Sequence, residues 1–375
     1  MQLVSTSKVA WILLFAQDDK RVWRDTSVAS ADISCFHKAA QVPSFPMAID
    51  SVTFKNASAI RTIPAGMIAD ARKHVYEAAI RTPLVRLNFD GPAEIYLKLE
   101  CLQPIGSFKI RGAYNAVRLL PEEQRRQGVW TVSAGNAAQG VALAAKKAGV
   151  PCKVLVMDTA PMAKLDAVRR LGGEIVQATY DQCWKALSDR AHPAMTGTFV
   201  HPFEDDAFIA GNASCGLEIL EDLPDVDTVV AGFGGGGLST GIASALKEQG
   251  SKAKVLAAEP ETAAPLAYSL DKGSPEYFPN WKASFVDGCG GKSVFPRMWY
   301  IAHHLLAGSI VVTLEEIRQA MKLVAVRNHI IAEGAGACAV AAGLSGKCGS
   351  GKIVCVVSGG NIDLAVFSKL VTEYT

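Results

Sequence analysis

A lysine lies between two apolar residues, Phe108-Lys109-Ile110, where a stretch with helical spacing of apolar residues begins. A cation is unfavourable at a helix start, where the macrodipole favours acids, so such a lysine either reaches back to water or has work to do. Held in a dry, apolar place, it loses its proton more readily and becomes a Schiff-base nucleophile. On the lysine alone, a solvated surface position is the plainer reading. A second chemical feature follows later in the chain. The apolar run Val229 to Ala231 leads through Gly232-Phe233 into four consecutive glycines, Gly234 to Gly237, and Leu238, Ile242 and Leu246 then recur at helical spacing. Strand, glycine turn and helix start leave open amides and a positive dipole end facing one place, an anion site suited to a phosphate. A side chain on any of these glycines is expected to push the anion away from the amides, whereas a plain mobile turn is the bland alternative.

The elements around these residues read as alternating strands and helices. A helix is expected within 60–79, with Ile68, Ala71 and Val75 on one face, broken at Arg81-Thr82-Pro83-Leu84. Glu94 to Glu100 alternates apolar and polar residues as a half-buried strand does, and Ser107 stands where it would cap the helix that follows. Trp130 to Val132 is a short strand running into Ser133-Ala134-Gly135-Asn136, and the alanine-rich helix after it ends at Gly149. Pro161 is placed to open another helix, and further strands are expected at 152–157, 174–176, 199–200, 228–231, 255–258, 311–313 and 353–357. This rhythm predicts parallel sheets covered by helices, with ligands beyond the carboxyl ends of the strands. Four loops then converge: those around Lys109, Ser133 to Asn136, Gly234 to Gly237, and Ser358 to Asn361.

These loops also carry a resemblance. Gln103 to Ala113 (QPIGSFKIRGA) resembles the cofactor-lysine motif of fold-type II pyridoxal-phosphate enzymes, in particular the serine/threonine dehydratase (threonine ammonia-lyase) family. Ser133 to Gly140 (SAGNAAQG) is similar to that family's S-A-G-N-H-A-Q-G loop, Gly234 to Leu238 to its phosphate cup, and Ser358 to Asn361 to its loop beneath the pyridine nitrogen. The order and spacing match over roughly residues 60–366. The resemblance implies a two-domain α/β fold, similar to the tryptophan synthase β chain. A large cofactor-binding domain would comprise 47–127 plus 202–375, a small mobile domain 128–201, and a poorly ordered tail 1–46. It implies pyridoxal 5'-phosphate held by Phe108 and Lys109, with Asn136 on the ring hydroxyl, Gly234, Gly235, Gly236, Gly237 and Leu238 around the phosphate, and Ser358 facing the ring nitrogen. Ser133, Ala134, Gly135 and Asn136 would receive the substrate carboxylate through backbone amides. Lys109 would also move the α-proton, and Glu333 is given a supporting place near the cofactor.

The activity implied is removal of water and then ammonia from a β-hydroxy L-amino acid to leave a 2-oxo acid. A neutral Ser358 makes the ring a weaker electron sink than an aspartate would, favouring prompt loss of the β-hydroxyl over racemisation. Ala137 and Gly106 stand where this family commonly has histidines, which suggests room for a side chain larger than that of threonine, such as phenylserine. Ala134 replaces the second serine of the family's racemases, and Ile110 the aspartate of its threonine synthases, so both of those activities rank as alternatives. A different class, a nicotinamide-dependent oxidoreductase, is suggested by Gly232, Gly234 and Gly237 in G-x-G-x-x-G spacing, with Glu259 as a ribose-binding acid. It would leave Lys109 and two of the four loops without a role. Glu259 also matches the first position of a divalent-cation site in eukaryote-type relatives, but the later acidic position falls on Pro265, and no metal is expected.

Composition sets the remaining bounds. The 375 residues carry 38 Lys+Arg against 36 Asp+Glu, a net charge of +2 with no basic block, which gives nucleic acid no footing. The nine cysteines form no C-x-x-C pair, so reduced thiols in a cytoplasmic protein are expected rather than zinc or disulfides. The apolar run Val9 to Ala16 is too short to span a bilayer, and no membrane association is expected. The partners implied are a small amino-acid substrate and, through the resemblance, a second copy of the chain in a homodimer. His303-His304 and His201 are read as ordinary structural residues, with no third metal ligand near them.

Overall fold

The structure, a computed structural model, describes residues 61–160 and 162–372, so the tail 1–46, Ile60 and Pro161 lie outside the described residues. The first part of the chain forms α1 (Ala65–His74), β1 (Leu84–Arg86), β2 (Glu94–Lys98), α2 (Lys109–Arg118) and α3 (Glu122–Arg126). There follow β3 (Val129–Val132), α4 (Asn136–Ala148), β4 (Cys152–Met157), α5 (Met162–Arg170), β5 (Gly173–Ala178), α6 (Tyr180–Asp189) and β6 (Thr198–Phe199). The rest is α7 (Asp206–Asp222), β7 (Thr228–Gly232), α8 (Gly237–Glu248), β8 (Lys254–Pro260), α9 (Pro265–Lys272), α10 (Pro296–Leu305), β9 (Gly308–Val312), α11 (Leu314–Asn328), α12 (Gly334–Leu344), β10 (Lys352–Val356) and α13 (Leu364–Thr372).

The strands form two sheets. One has six strands in the order β1-β2-β10-β7-β8-β9, the other four in the order β5-β4-β3-β6. Every pairing is parallel except β1 with β2, where Leu84 faces Lys98. β1 is absent from the expectations because three residues beside a proline carry no usable periodicity. The parallel strands are apolar on both faces because helices cover both. Side chains alternate along β7: Val229 and Ala231 enter the core shared with α7 and α8, while Val230 enters the core shared with α11 and α12. The four-stranded sheet is divided the same way, with Val154 and Val156 facing α2 and α4, and Leu155 facing α6. The alanine-rich α4 packs closely for want of large side chains, and it ends at Gly149 in the left-handed conformation (φ 68°) that glycine adopts without strain.

Two local expectations fail. Ser107 does not cap α2; Phe108 is the N-cap residue, without a side-chain cap bond, and Ser107 pairs its backbone with Gly359. Alternation along β2 would leave Lys98 in water, yet it is wholly buried. The reason is an ion network that alternation cannot reveal. Lys98, Glu100, Arg111 and Glu218 are all 0 % exposed, two cations with two anions. Arg111 Nε donates to Glu100 Oε2 at 2.7 Å and its Nη2 to Glu100 Oε1 at 2.8 Å, while Nη1 donates to Glu218 Oε1 at 2.7 Å. Lys98 Nζ lies 2.7 Å from Glu218 Oε2 and donates to the Thr82 carbonyl at 2.7 Å. Arg111 Nη1 also donates to Ser214 Oγ at 3.0 Å, Thr82 Oγ1 and Gln103 Nε2 donate to Glu100 at 2.6 and 3.2 Å, and the Tyr76 hydroxyl donates to Glu218 Oε1 at 2.6 Å. Burial pushes the Glu218 carboxyl up, but Arg111 and Lys98 beside it hold it below its ordinary value. Such a network is stable only while both signs are present and bonded.

Arg111 lies two residues after Lys109, so this network fixes the start of α2. Arg111→Met would leave two buried carboxylates facing one ammonium. We expect a loss of about 3–5 kcal/mol of unfolding free energy, measured by urea denaturation; a change under about 1 kcal/mol would show that the network does not hold this helix.

Candidate active site

The four loops singled out in the sequence meet at the carboxyl ends of β2, β3, β7 and β10. Phe108 N donates to the Ser358 carbonyl at 3.0 Å, and Gly360 N to the Gly106 carbonyl at 2.9 Å, so the lysine loop and the 358–361 loop are bonded together. Ser107 Oγ, buried beside Lys109, has no partner among the described residues. Lys109 Nζ donates to the Pro202 carbonyl at 2.7 Å. It lies 5.2, 5.8 and 5.5 Å from the ring centroids of Phe108, Phe203 and Phe208. Loss of water around it pushes the ammonium down to about 8, against an ordinary value of 10.5, as the flanking apolar residues suggested. The Cys289 thiol nearby opposes this fall without cancelling it.

Phe203 joins the lysine to the glycine loop. A Cβ on Gly235 would lie 2.2 Å from the Phe203 ring, one on Gly237 2.4 Å from its carbonyl oxygen, and one on Gly234 2.2 Å from the Gly288 carbonyl oxygen. Gly236 has a φ of 86°. The run of glycines is therefore required first by the protein's own packing and turn, not only by clearance for an anion. Among the described residues, none accepts a hydrogen bond from the amides of Gly234 to Leu238, at the N-terminus of α8. Open amides at a helix start are the groups that hold a phosphate.

The loop after β3 is partly committed. Ser133 N donates to the Leu155 carbonyl at 3.2 Å and Gly135 N to Ser133 Oγ at 3.1 Å, which leaves the amides of Ala134 and Asn136 for a carboxylate. Asn136 Nδ2 donates to Glu333 Oε1 at 2.7 Å. Burial pushes the Glu333 carboxyl up to about 8, with Asp287 nearby adding to the rise and the Asn136 bond opposing it. Asp287 pairs with Lys164, which ties α5 of the four-stranded side to the turn at 287–289.

His201 has a structural place and organises the turn that presents the Pro202 carbonyl. Its Nδ1 accepts from Glu204 N at 3.1 Å and Phe203 N at 3.4 Å, while burial, reinforced by Arg190 and Lys109, keeps the ring neutral. Glu259 is spent on structure. Its carboxylate accepts from Leu266 N and Ala267 N, both at 2.8 Å, and from Ser309 Oγ at 2.6 Å, so it closes the start of α9 and cannot face a ribose. Among the described residues, no three His, Cys, Asp or Glu side chains stand together as a metal site. Local pattern does not reveal that Arg111, Glu100 and Lys98 position the lysine, because Lys98 falls at a polar position of an alternating strand and carries no sign of its burial.

Raised above its ordinary 4.5, Glu333 keeps a proton in the folded protein that the unfolded chain releases. Its contribution is present below about pH 4.5 and is lost as the pH rises through about 8. Glu333→Gln should therefore make the fall in unfolding free energy between about pH 5 and about pH 8 shallower, in urea titrations at fixed cofactor content. Equal slopes in the two proteins would show that the carboxyl is ionised in the fold.

Comparison with known proteins agrees with this geometry. The model of the family described as pyridoxal-phosphate dependent enzyme matches residues 75–359. L-threonine ammonia-lyase of Thermotoga maritima is 39% identical over 283 residues, 75% of this chain and 70% of that protein. A catabolic L-threonine dehydratase of Staphylococcus aureus is 35% identical over 336 residues, 87% of this chain and 96% of that protein. Among solved structures, maize serine racemase aligns with a TM-score of 0.75 at 32% identity, over 82% of this chain and 96% of that one. Threonine deaminase isoform 2 of Solanum lycopersicum aligns at 0.72 and 29% identity, over 84% and 97%. With the lysine, the open amides and the four converging loops in place, the chain belongs to the pyridoxal-phosphate dependent enzyme family, on the fold-type II scaffold and among its serine/threonine dehydratases, with pyridoxal 5'-phosphate as its cofactor.

Proposed function

We propose that this pyridoxal-phosphate dependent lyase converts L-threonine or L-serine to a 2-oxo acid and ammonia. The observation that carries the reading is Lys109: a half-buried amine among three aromatic rings, its ammonium lowered to about 8, beside a helix start whose amides are open. Lys109, Asn136, the amides of Gly234 to Leu238, and Ser358 would hold the cofactor, which supplies the electron sink for the α-carbon. Phe108 would line its place next to the lysine. Lys109 takes the α-proton, since its depressed value leaves a useful fraction of free amine near neutrality. The amides of Ala134 and Asn136 orient the substrate carboxylate. Ser358 would offer the ring nitrogen a hydroxyl and no charge, so electrons left at the α-carbon would gain little by staying there; they would form the Cα–Cβ double bond as the C–O bond breaks, the β-hydroxyl leaving with a proton as water. Ala134 provides no base on the opposite face, which supports elimination over racemisation. The names of the relatives, L-threonine ammonia-lyase and L-threonine dehydratase, support the same substrate.

A bulkier substrate such as phenylserine gains little support from the two missing histidines. Gly106 has a φ of 69°, its Cβ position is filled by the Asn361 side chain, and Ala137 is buried at 4 % exposure. Both departures have local reasons, so threonine and serine rank first. We further propose that 128–201, whose strands form a sheet of their own, closes as a lid over the cleft. A homo-oligomer is what the family resemblance implies; Leu364 and Val366 of α13 are exposed apolar residues on different sides of that helix. A cytoplasmic setting is supported by the eight described cysteines, all unpaired.

Three outcomes test the reading. Lys109→Ala should lose the visible band of the bound cofactor and at least about a thousandfold in turnover; a variant keeping both would remove the lysine from its role. In a panel of serine, threonine, phenylserine and hydroxyaspartate assayed for 2-oxo acid, threonine and serine should react fastest, and phenylserine as the best substrate would overturn the ranking. Ser358→Asp should slow elimination and raise α-deuterium exchange from solvent relative to it; an unchanged ratio would exclude Ser358 from that control.

A further inference from the structure

Asn361 has a settled arrangement of hydrogens. Its Nδ2 donates to the Ile105 carbonyl at 2.7 Å and to Asn136 Oδ1 at 2.7 Å. A backbone carbonyl only accepts, so the nitrogen end of Asn361 is identified and both its hydrogens are committed. Asn136 is thereby oriented: its Oδ1 accepts from Asn361, its Nδ2 donates to Glu333 Oε1 at 2.7 Å, and its second Nδ2 hydrogen goes to no acceptor among the described residues. The Asn361 backbone N–H also bonds to Glu333, so one residue supports both neighbours. Space for these side chains comes from two glycines in two different loops. A Cβ on Gly106 would lie 2.5 Å from Asn361 Oδ1, and one on Gly359 would lie 2.4 Å from Glu333 Oε1 and 3.2 Å from Asn136 Nδ2.

We propose that Asn361 is a positioning residue that sets the Asn136 amide so that an N–H, not a carbonyl, faces the cofactor's ring oxygen. This rests on the place given to Asn136 above. An N–H stabilises that oxygen as an anion, whereas a carbonyl in its place would favour the protonated form. The device is a chain of donors running one way, from Asn361 through Asn136 to the cleft. An aspartate at 361 keeps the size and has no hydrogen to give, so Asn136 would turn its Nδ2 toward the new carboxylate and its Oδ1 toward the cofactor.

The test uses the cofactor-loaded enzyme and follows the visible absorbance band against pH. Asn361→Asp should move the midpoint by about one pH unit or more, and lower kcat by about tenfold or more with a smaller change in KM. Asn361→Ser, which retains one donor, should stay near the wild-type midpoint. Asn136→Ala should shift the midpoint by itself, and adding Asn361→Asp to it should shift it no further, because the route is already cut. An unmoved midpoint in Asn361→Asp, or a shift that adds in full to that of Asn136→Ala, would overturn the proposal. If Asn361→Asp does not fold, Asn361→Ala makes the same comparisons without a new charge. An unmoved midpoint in Asn136→Ala would instead refute the place given to Asn136, whatever Asn361 does.

Discussion

The fold depends on keeping four charges out of water at once. Arg111, Lys98, Glu100 and Glu218 come from α2, β2, the turn after β2, and α7, and each is wholly buried. None of them is tolerable alone, because an unpaired ion in the interior costs several kcal/mol even after relaxation. Together their charges cancel and their hydrogen bonds are filled, so the three segments must come to one place. The first turn of α2 carries Arg111 on this network and Lys109 toward the cleft. A buried network of this kind contributes orientation more than net stability, and here the direction it sets is that of the lysine.

Exclusion of water then determines the chemistry of the cleft. The same desolvation acts on groups of opposite sign and moves both toward neutrality: the Lys109 ammonium falls to about 8 and the Glu333 carboxyl rises to about 8. His201 is kept neutral by burial and by the cations around it. A site whose ionisable groups are close to uncharged holds them ready to give or take a proton at modest cost. Lys164 of α5 and Asp287, both partly exposed, pair with each other.

Packing accounts for the departure at Gly106 and for other residues whose type alone suggests a ligand. Gly106 meets the Asn361 side chain and adopts a backbone conformation few other residues accept, and the glycine quartet is hemmed in by Phe203 and Gly288. Glu259, which pattern alone offers as a ribose or metal ligand, spends its oxygens on two amides and a hydroxyl. In each case the side chain's nearest neighbours, rather than its residue type, decide what it does.

The sequence by itself determined the alternation of strands and helices and the four loops at strand ends, which follow from local periodicity and glycine placement acting over a few residues. The role expected of Lys109 came instead from the resemblance of the motif around it. Strands β4 and β7 and helix α4 lie where that periodicity puts them, and β1 escapes it because three residues carry no period. What periodicity could not supply was which polar residues go inside. Lys98 stands at an outward position of its strand and Glu218 midway along a helix, and only the tertiary fold reveals that each has a buried partner of opposite charge. The Asn361–Asn136–Glu333 chain joins residues 225 and 197 positions apart in sequence, and Ser107 is no cap because α2 starts one residue later, with Phe108 as its N-cap residue. Desolvation and hydrogen bonding of this kind depend on distances in space, and those exist only once the sheets have closed on their helices.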